Sequence, residues 1–350
     1  TVLTKAWYIT VHPLSRYLFG ALMKEGNRMA DTTAVDGAVS ITGRTPWQIT
    51  RARLAKDRGT MVALCAAIFF VLVALAAPAL TALGLIDPYT GDPSLLGGLG
   101  SLPIGPAGGV SPQHWMGVEP GTGRDIFARV IAGLTVSLVV AVCAVMVSVV
   151  LGTIIGLVSG TAGGRTDWWL SRVTDFVLSF PQTLMLIALS TIVIDILQGA
   201  LGSDRTPASM VFMILVMGFF GWPVFARVIR GQVLSLKERE FIEAARSLGA
   251  NRRRIYFKEL LPHLWAPILV YTTLVMPQNI ATEAALGFLG VGIQAPTPSF
   301  GSILNDSVHY ANSDPAYFIF PGITLFLVVL SFNLLGDGLR DALDPKADRQ

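Results

Sequence analysis

The sequence predicts an all-helical integral membrane protein with six membrane-spanning helices, and two observations predict it. The 350 residues are 52% hydrophobic and only 14% charged, with mean hydropathy +0.59, whereas a soluble domain carries about 25% charged residues. The charges collect in a few segments and leave long runs with none, the pattern of a chain that alternates between two solvents. A soluble domain is excluded. The net charge of +3 is a small difference between separate clusters and does not specify a partner. Cys65 and Cys143 are too few for a disulfide framework and sit in apolar runs, where a thiol is an inert packing group.

A polar leader, residues 1–59, comes first. Trp7, Tyr8, Leu14, Tyr17, Leu18, Phe19 and Leu22 read either as an interfacial amphipathic segment or as upstream sequence without a role, ahead of a more ordinary polar stretch from Met29. Six runs then meet the requirement for crossing roughly 30 Å of hydrocarbon, about 20 mostly apolar residues rising 1.5 Å each. They are 60–86, 130–164, 176–194, 206–226, 260–282 and 315–336.

Basic loops resist translocation, so Lys and Arg report orientation. With both termini inside the cell, 23 of the 26 basic residues face the cytoplasm, and only Arg124, Arg129 and Arg205 lie outside. The expected arrangement is therefore a multi-pass membrane protein with cytoplasmic N- and C-termini. The tail, 339–350, lies on the cytoplasmic side.

Between the first two spans, residues 87–128 are rich in Gly and Pro, which disfavours regular elements and predicts an irregular external loop. From Arg124 the stretch RDIFARVIAG places Ile126, Phe127, Val130 and Ile131 at helical spacing, predicting a short interfacial helix before span two. A second external segment, 292–314, carries Pro296, Pro298, Gly301 and Asp314 and reads as irregular too. The five later spans form a core over 130–338. Within span two, Gly152, Gly156 and Gly160 make a bare stripe that lets a neighbouring helix approach closely. Pro181, Pro223 and Pro277 fall inside spans three, four and five, where each removes a backbone hydrogen bond and can bend the helix. Asp175 and Asp195 sit at the ends of span three, where an interfacial position is expected.

Glu283 is the most pointed polar residue, near Gln278, Asn279 and Thr282 at the outer end of span five. A carboxylate facing lipid at mid-membrane costs about 3 kcal/mol. Two readings stay open: Glu283 lines a solute route together with Gln278, Asn279 and Pro181, or it makes a structural hydrogen bond at the helix end. Catalytic signatures are missing. No GxxxxGK[ST] loop exists to cradle a nucleotide, no GxSxG elbow occurs, and the four histidines have no metal-ligand spacing. The chain itself is expected to be no enzyme, with no cofactor or metal of its own.

The longest charged stretch, 227–258, is too long for a tight connection and too amphipathic for a disordered one, so short helices are expected in it. Phe241, Ile242, Ala244, Ala245 and Leu248 alternate with charged residues, and Gly249 can take the left-handed conformation that ends a helix. Small side chains at Ala244 and Ala245 admit another protein's groove, with neighbouring charges fixing register. The rival reading is a basic helix lying on anionic lipid headgroups.

The spacing Glu243-Ala244-Ala245, then Gly249, then Leu261-Pro262 resembles the EAA signature of binding-protein-dependent ABC importer permeases. HWMGVEPGTGRDIFAR is similar to an external stretch of the second, C-type permease of dipeptide and oligopeptide importers, matching at His114, Trp115, Gly117, Gly123, Arg124, Asp125 and Arg129. Val118 and Glu119 depart from the usual Thr-Asp there. EAALGFLGVGIQAPTPSFGSIL and the ending FNLLGDGLRDALDPK also look like that subfamily, with Phe300 where Trp is common. The likeness covers residues 50–346.

The resemblance implies the type I importer (MetI-like) fold and a permease that pairs with a homologous B-type permease. Two ATP-binding subunits, which use the ATP and Mg, and an extracytoplasmic solute-binding protein would complete the complex in the lipid bilayer. No nucleic-acid partner is implied. It assigns coupling to the ATPase to Glu243, Ala244, Ala245, Arg246, Leu248 and Gly249. Arg124, Asp125, Pro298 and Phe300 become candidates for contact with the external protein. Di- or oligopeptides are the expected solute, with nickel, glutathione and haem as the other solutes of such relatives. An ATP-independent channel or secondary transporter is the alternative.

Overall fold

A computed structural model describes residues 54–98, 101–202 and 204–343. The 1–28 segment and the end of the chain beyond 343 lie outside them. Helix α1 (Arg58–Ala82) is capped by Asp57, whose carboxylate accepts from the Gly59 and Thr60 amides. Helix α2 (Ile126–Ala162) follows a loop with one short two-stranded ladder, Leu96–Gly97 against Leu102–Pro103. Its 37 residues reach about 55 Å at 1.5 Å per residue, far beyond the hydrocarbon thickness, so its ends project from the bilayer. The short interfacial helix expected before span two is therefore no separate element: its residues are the first turns of α2, capped by Asp125.

Span three differs more. In place of one helix over 176–194 there are two, α3 (Gly164–Leu178) and α4 (Gln182–Leu201). Pro181 is the N-cap of α4 rather than a kink within a span. The cause is local, since proline lacks an N–H and disfavours helical backbone in the residue before it. Asp175 consequently lies within α3 and Asp195 within α4. Helix α5 (Arg205–Leu236) leads to α6 (Glu240–Ser247), and then a segment α7 (Arg252–His263) meets α8 (Trp265–Phe288) at a bend of 59°. Pro262 sits in a 3-10 turn just before that bend. The straight helix α8 thus starts at Trp265, where an unbroken run from 260 was expected. Pro223 and Pro277 do lie inside helices that continue through them.

The segment 292–314 is not wholly irregular. Helix α9 (Phe300–Val308) forms there because Ser299 and Ser302 satisfy each other's backbone amides in a capping box. Helix α10 (Pro315–Leu343) closes the bundle and runs past 338, into the segment read as tail. Among the described residues five helices (α1, α2, α4, α5 and α10) are long and apolar enough to cross a membrane, and six if the bent α7–α8 pair is one span.

The bundle has two ends of different character. At one, the loop end, lie α9 and the Gly/Pro-rich loop; at the other, the basic end, lie α3, α6 and α7. The two are tied by the seam between α2 and α5. A β-carbon at Gly156 would stand 2.6 Å from the Ala226 carbonyl oxygen, and one at Gly152 would stand 2.9 Å from that of Trp222. One turn before Gly152 on the same helix, Ser148 donates to the Gly218 carbonyl of α5 at 3.0 Å. The glycine stripe is a helix-packing surface, as its spacing predicts.

Candidate functional site

At the basic end, α6 is a short helix on a packed support. Glu240 and Glu243 occupy its first turn and Arg246 its last, each complementing the helix dipole. The helix stops at Gly249, whose φ of +79° is cheap only for glycine. The Gly249 amide donates to the Arg246 carbonyl at 2.9 Å and the Ala250 amide to that of Ala245 at 3.0 Å, the two bonds of a Schellman stop. Asn251 then caps α7 by accepting from the Arg254 amide at 2.8 Å. Beneath α6, Ile242 is fully buried against a cluster that includes Val233 of α5 and Ile255, Leu260 and Leu264 of the α7–α8 entry. The Phe241 ring stacks on His263, centroids 4.8 Å apart.

The motif residues differ in exposure. Glu243, Ala244, Arg246 and Gly249 are exposed, Ala245 is half-buried, and Leu248 is 89% exposed. Burying a leucine so bare would contribute about 1.5–3 kcal/mol. Beside this platform Asp167 of α3 takes a bidentate contact from Arg230 of α5 at 2.6 and 2.7 Å and a hydrogen bond from Ser159 of α2 at 2.5 Å. The Arg230 contact and the hydroxyl bonds hold the Asp167 carboxyl down at about 2.

The pathway candidates do not converge. Glu283 is fully buried, and its Oε2 accepts from the Ser137 hydroxyl of α2 at 2.5 Å; the same hydroxyl accepts from the Phe300 amide at 3.4 Å. Of the two readings of Glu283, this geometry supports the structural hydrogen bond, joining α8 to α2 and α9. Asn279, one turn earlier, is also buried, while Gln278 is exposed on another side of α8. Pro181 lies at the basic end of the bundle, away from all three. Within this chain Glu283 and Asn279 are buried side chains on one face of α8.

The external contact candidates divide. Arg124 and Asp125 are partly accessible, but Phe300 is fully buried and Pro298 is buried beside it, so neither of the latter offers surface to an outside protein. Phe300 is turned inward by α9, packing with Ile126, Val130 and Tyr317. Asp125 caps α2, and burial pushes its carboxyl up, with His114 and the Phe127 and Ala128 amides opposing.

A charged cluster at the loop end was not foreseen. Glu119, 3% exposed, takes the Arg124 Nε at 2.5 Å, the Thr122 hydroxyl at 2.7 Å and the Tyr317 hydroxyl of α10. Arg129, wholly buried, lies 3.7 Å from Glu119 and 4.0 Å from Asp306 of α9. Burial raises Glu119, but the Arg129 charge and the bonds from Arg124, Tyr317 and Thr122 outweigh it and hold its carboxyl below the ordinary glutamate range. The residue that departs from the subfamily pattern is thus the hub of a structural network.

The described residues hold no group of acidic, histidine or cysteine side chains suited to a metal. An apolar bundle of five or six spans, with small residues at its seam and a motif-bearing helix outside, defines a class: the membrane-embedded permease subunits of transporters. Residues 152–349 match the family described as binding-protein-dependent transport system inner membrane component, and residues 45–95 match the N-terminal membrane domain of oligopeptide transport permease C. The chain belongs to the first of these families, and its N-terminal match is of the C-type. A dipeptide transport system permease protein of Alkalihalophilus pseudofirmus is 38% identical over 305 residues, covering 87% of this chain and 91% of that one. A glutathione transport system permease protein of Salmonella typhimurium is 39% identical over 303 residues, with the same coverage. Among solved structures, a chain of the inward-facing MetNI methionine ABC transporter aligns at 19% identity with a TM-score of 0.47, covering 62% of this chain and 96% of that one.

Proposed function

We propose that this chain is one half of the membrane channel of an ATP-driven importer, carrying di- or oligopeptides released by an external solute-binding protein into the cytoplasm. Its partners are a homologous B-type permease and two ATP-binding subunits, which use the ATP and Mg. The names of the dipeptide and glutathione permeases support a small peptide as solute. The Lys and Arg of α3, α6 and α7 support a cytoplasmic basic end, and hence cytoplasmic N- and C-termini.

One observation carries the reading: α6 presents Glu243, Ala244, Arg246 and Leu248 outward from a support packed against both α5 and α8. A push on α6 therefore moves two spans at once. When the ATPases close on ATP, the docked helices of the two permeases approach each other and the permease pair turns from inward- to outward-facing. Taking such an equilibrium from 1:99 to 99:1 needs about 5.5 kcal/mol of differential binding, which this chain obtains only through α6.

The test uses Gly249→Pro, which cannot adopt a φ of +79°, and Ala245→Arg, which crowds the docking face. Both should abolish uptake of a labelled dipeptide by cells while membrane insertion stays normal. Normal uptake by both would overturn the docking assignment. Uptake by the chain alone in liposomes under an ion gradient would favour the secondary transporter.

A further inference from the structure

Next to the docking helix, between α2 and the α7–α8 elbow, runs an apolar groove of about 740 Å³. One wall is α2, with Met146, Val150 and Ile154; the other is Phe257 and Leu261 of α7 and Trp265 of α8. These are large apolar side chains left open by the fold: Phe257 is 68% and Trp265 65% exposed. The groove follows the half of α2 nearest the basic end, and an indole at that depth matches the membrane–water boundary.

Charge is placed at one end of it. Arg253 and Arg254 stand four and three residues before Phe257, in the turn of α7 that leads into the groove wall and outside its apolar lining. Both are exposed; Arg254 has a loose 3.7 Å contact with Glu259, and Arg253 has no ion-pair partner among the described residues. A hydrocarbon slot whose wall is preceded in the chain by two exposed guanidiniums suits a molecule with a long apolar chain and a phosphate head.

We propose that the groove between α2 and the α7–α8 elbow binds an anionic phospholipid, its acyl chain along Val150, Ile154 and Leu261 and its phosphate against Arg253 and Arg254. The basic 227–258 stretch then divides into two surfaces: α6 faces a protein and α7 faces lipid. The lipid would sit on the segment that joins the docking helix to span five and would brace the 59° bend. The site does not depend on the transport reading, so its failure would leave the α6 assignment untouched.

The purified full chain is placed in phosphatidylcholine vesicles containing a trace of phosphatidylglycerol with a photoactivatable acyl chain, and the labelled peptides are mapped. Label should concentrate in residues 146–158 and 256–272. The double variant Arg253→Ala, Arg254→Ala should cut labelling about 25-fold, because each basic residue near an anionic surface contributes about 1 kcal/mol, roughly fivefold. Ile154→Trp, which fills the groove and leaves the charges intact, should cut it comparably, and both variants should melt like the parent. Label spread evenly over all spans, equal labelling by a photoactivatable phosphatidylcholine, or two unaffected variants would overturn the proposal. So would cysteine crosslinks in the assembled complex showing a helix of the second permease in the groove.

Discussion

The two ends of the bundle use charge in opposite ways. At the loop end, Glu119 and Arg129 are buried and find their partners in the same chain: Glu119 accepts from Arg124, Thr122 and Tyr317, and Arg129 has looser ion pairs with Glu119 and Asp306. At the basic end the charges of α6 and α7 are exposed, and the only deeply buried residue of α6 is Ile242. A buried charge must find its partner within the fold, because an unpaired one costs several kcal/mol. An exposed charge on a rigid support leaves its bonding capacity to a neighbour. Burial therefore separates structure from docking here better than charge does, and substitutions at the two ends should fail in different ways.

The largest effect belongs to the loop end. Glu119→Leu removes the hub and leaves Arg129 buried without its nearest counter-ion, a loss expected to cost about 3–5 kcal/mol. The thermal midpoint of the purified chain should fall accordingly, and surface expression with it. Adding Arg129→Met should recover most of that loss, since a buried pair replaced by apolar groups of similar size is often neutral. If the double variant melts as low as the single one, Glu119 and Arg129 are not coupled and the contrast between the ends fails.

Leu248 provides the mirror experiment. Being 89% exposed, it should tolerate Leu248→Asp with a stability change within about 0.5 kcal/mol in the isolated chain. Recovery of the ATP-binding subunits with the tagged permease should drop about tenfold or more, the equivalent of one apolar side chain lost from an interface. A variant that melts low yet retains the ATPases would make the leucine structural and α6 no dock.

The two ends were also unequally legible in the sequence. Charge-free runs located the spans, because the bilayer demands length and apolarity from contiguous residues. The α6 motif was readable because its parts, from Glu243 to Gly249, lie within a few residues of one another. The Gly152, Gly156 and Gly160 stripe was readable for the same reason. Glu119 was not: its partner Tyr317 is 198 positions away, and no local pattern reports such a pairing. The apolar run 176–194 hid a break that a single proline at 181 decides, and Ser299 with Ser302 makes a helix that Gly and Pro counts argue against. Phe300 was a candidate for external contact through the family resemblance, whereas α9 turns it into the core.

The smallest expected effect concerns the tie that steadies the basic end. Asp167 links α3 to α5 through Arg230 and to α2 through Ser159, and these bonds hold its carboxyl at about 2. An aspartate in the unfolded chain titrates near 3.9. A depressed folded value means that the stabilisation is fully present above about pH 4 and is lost as pH falls through about 2. Protection of the amides in 164–178 against hydrogen exchange should therefore stay level from neutral pH down to about pH 4 and decline only below it. Asp167→Asn should show reduced protection already at neutral pH, by a modest factor, because a partly exposed ion pair contributes at most about 1 kcal/mol. If the parent instead loses protection near pH 6, a different group holds α3 in place. The tie of α3 to the α2–α5 seam would then rest on something other than this pair, and the basic end would loosen under mild acid.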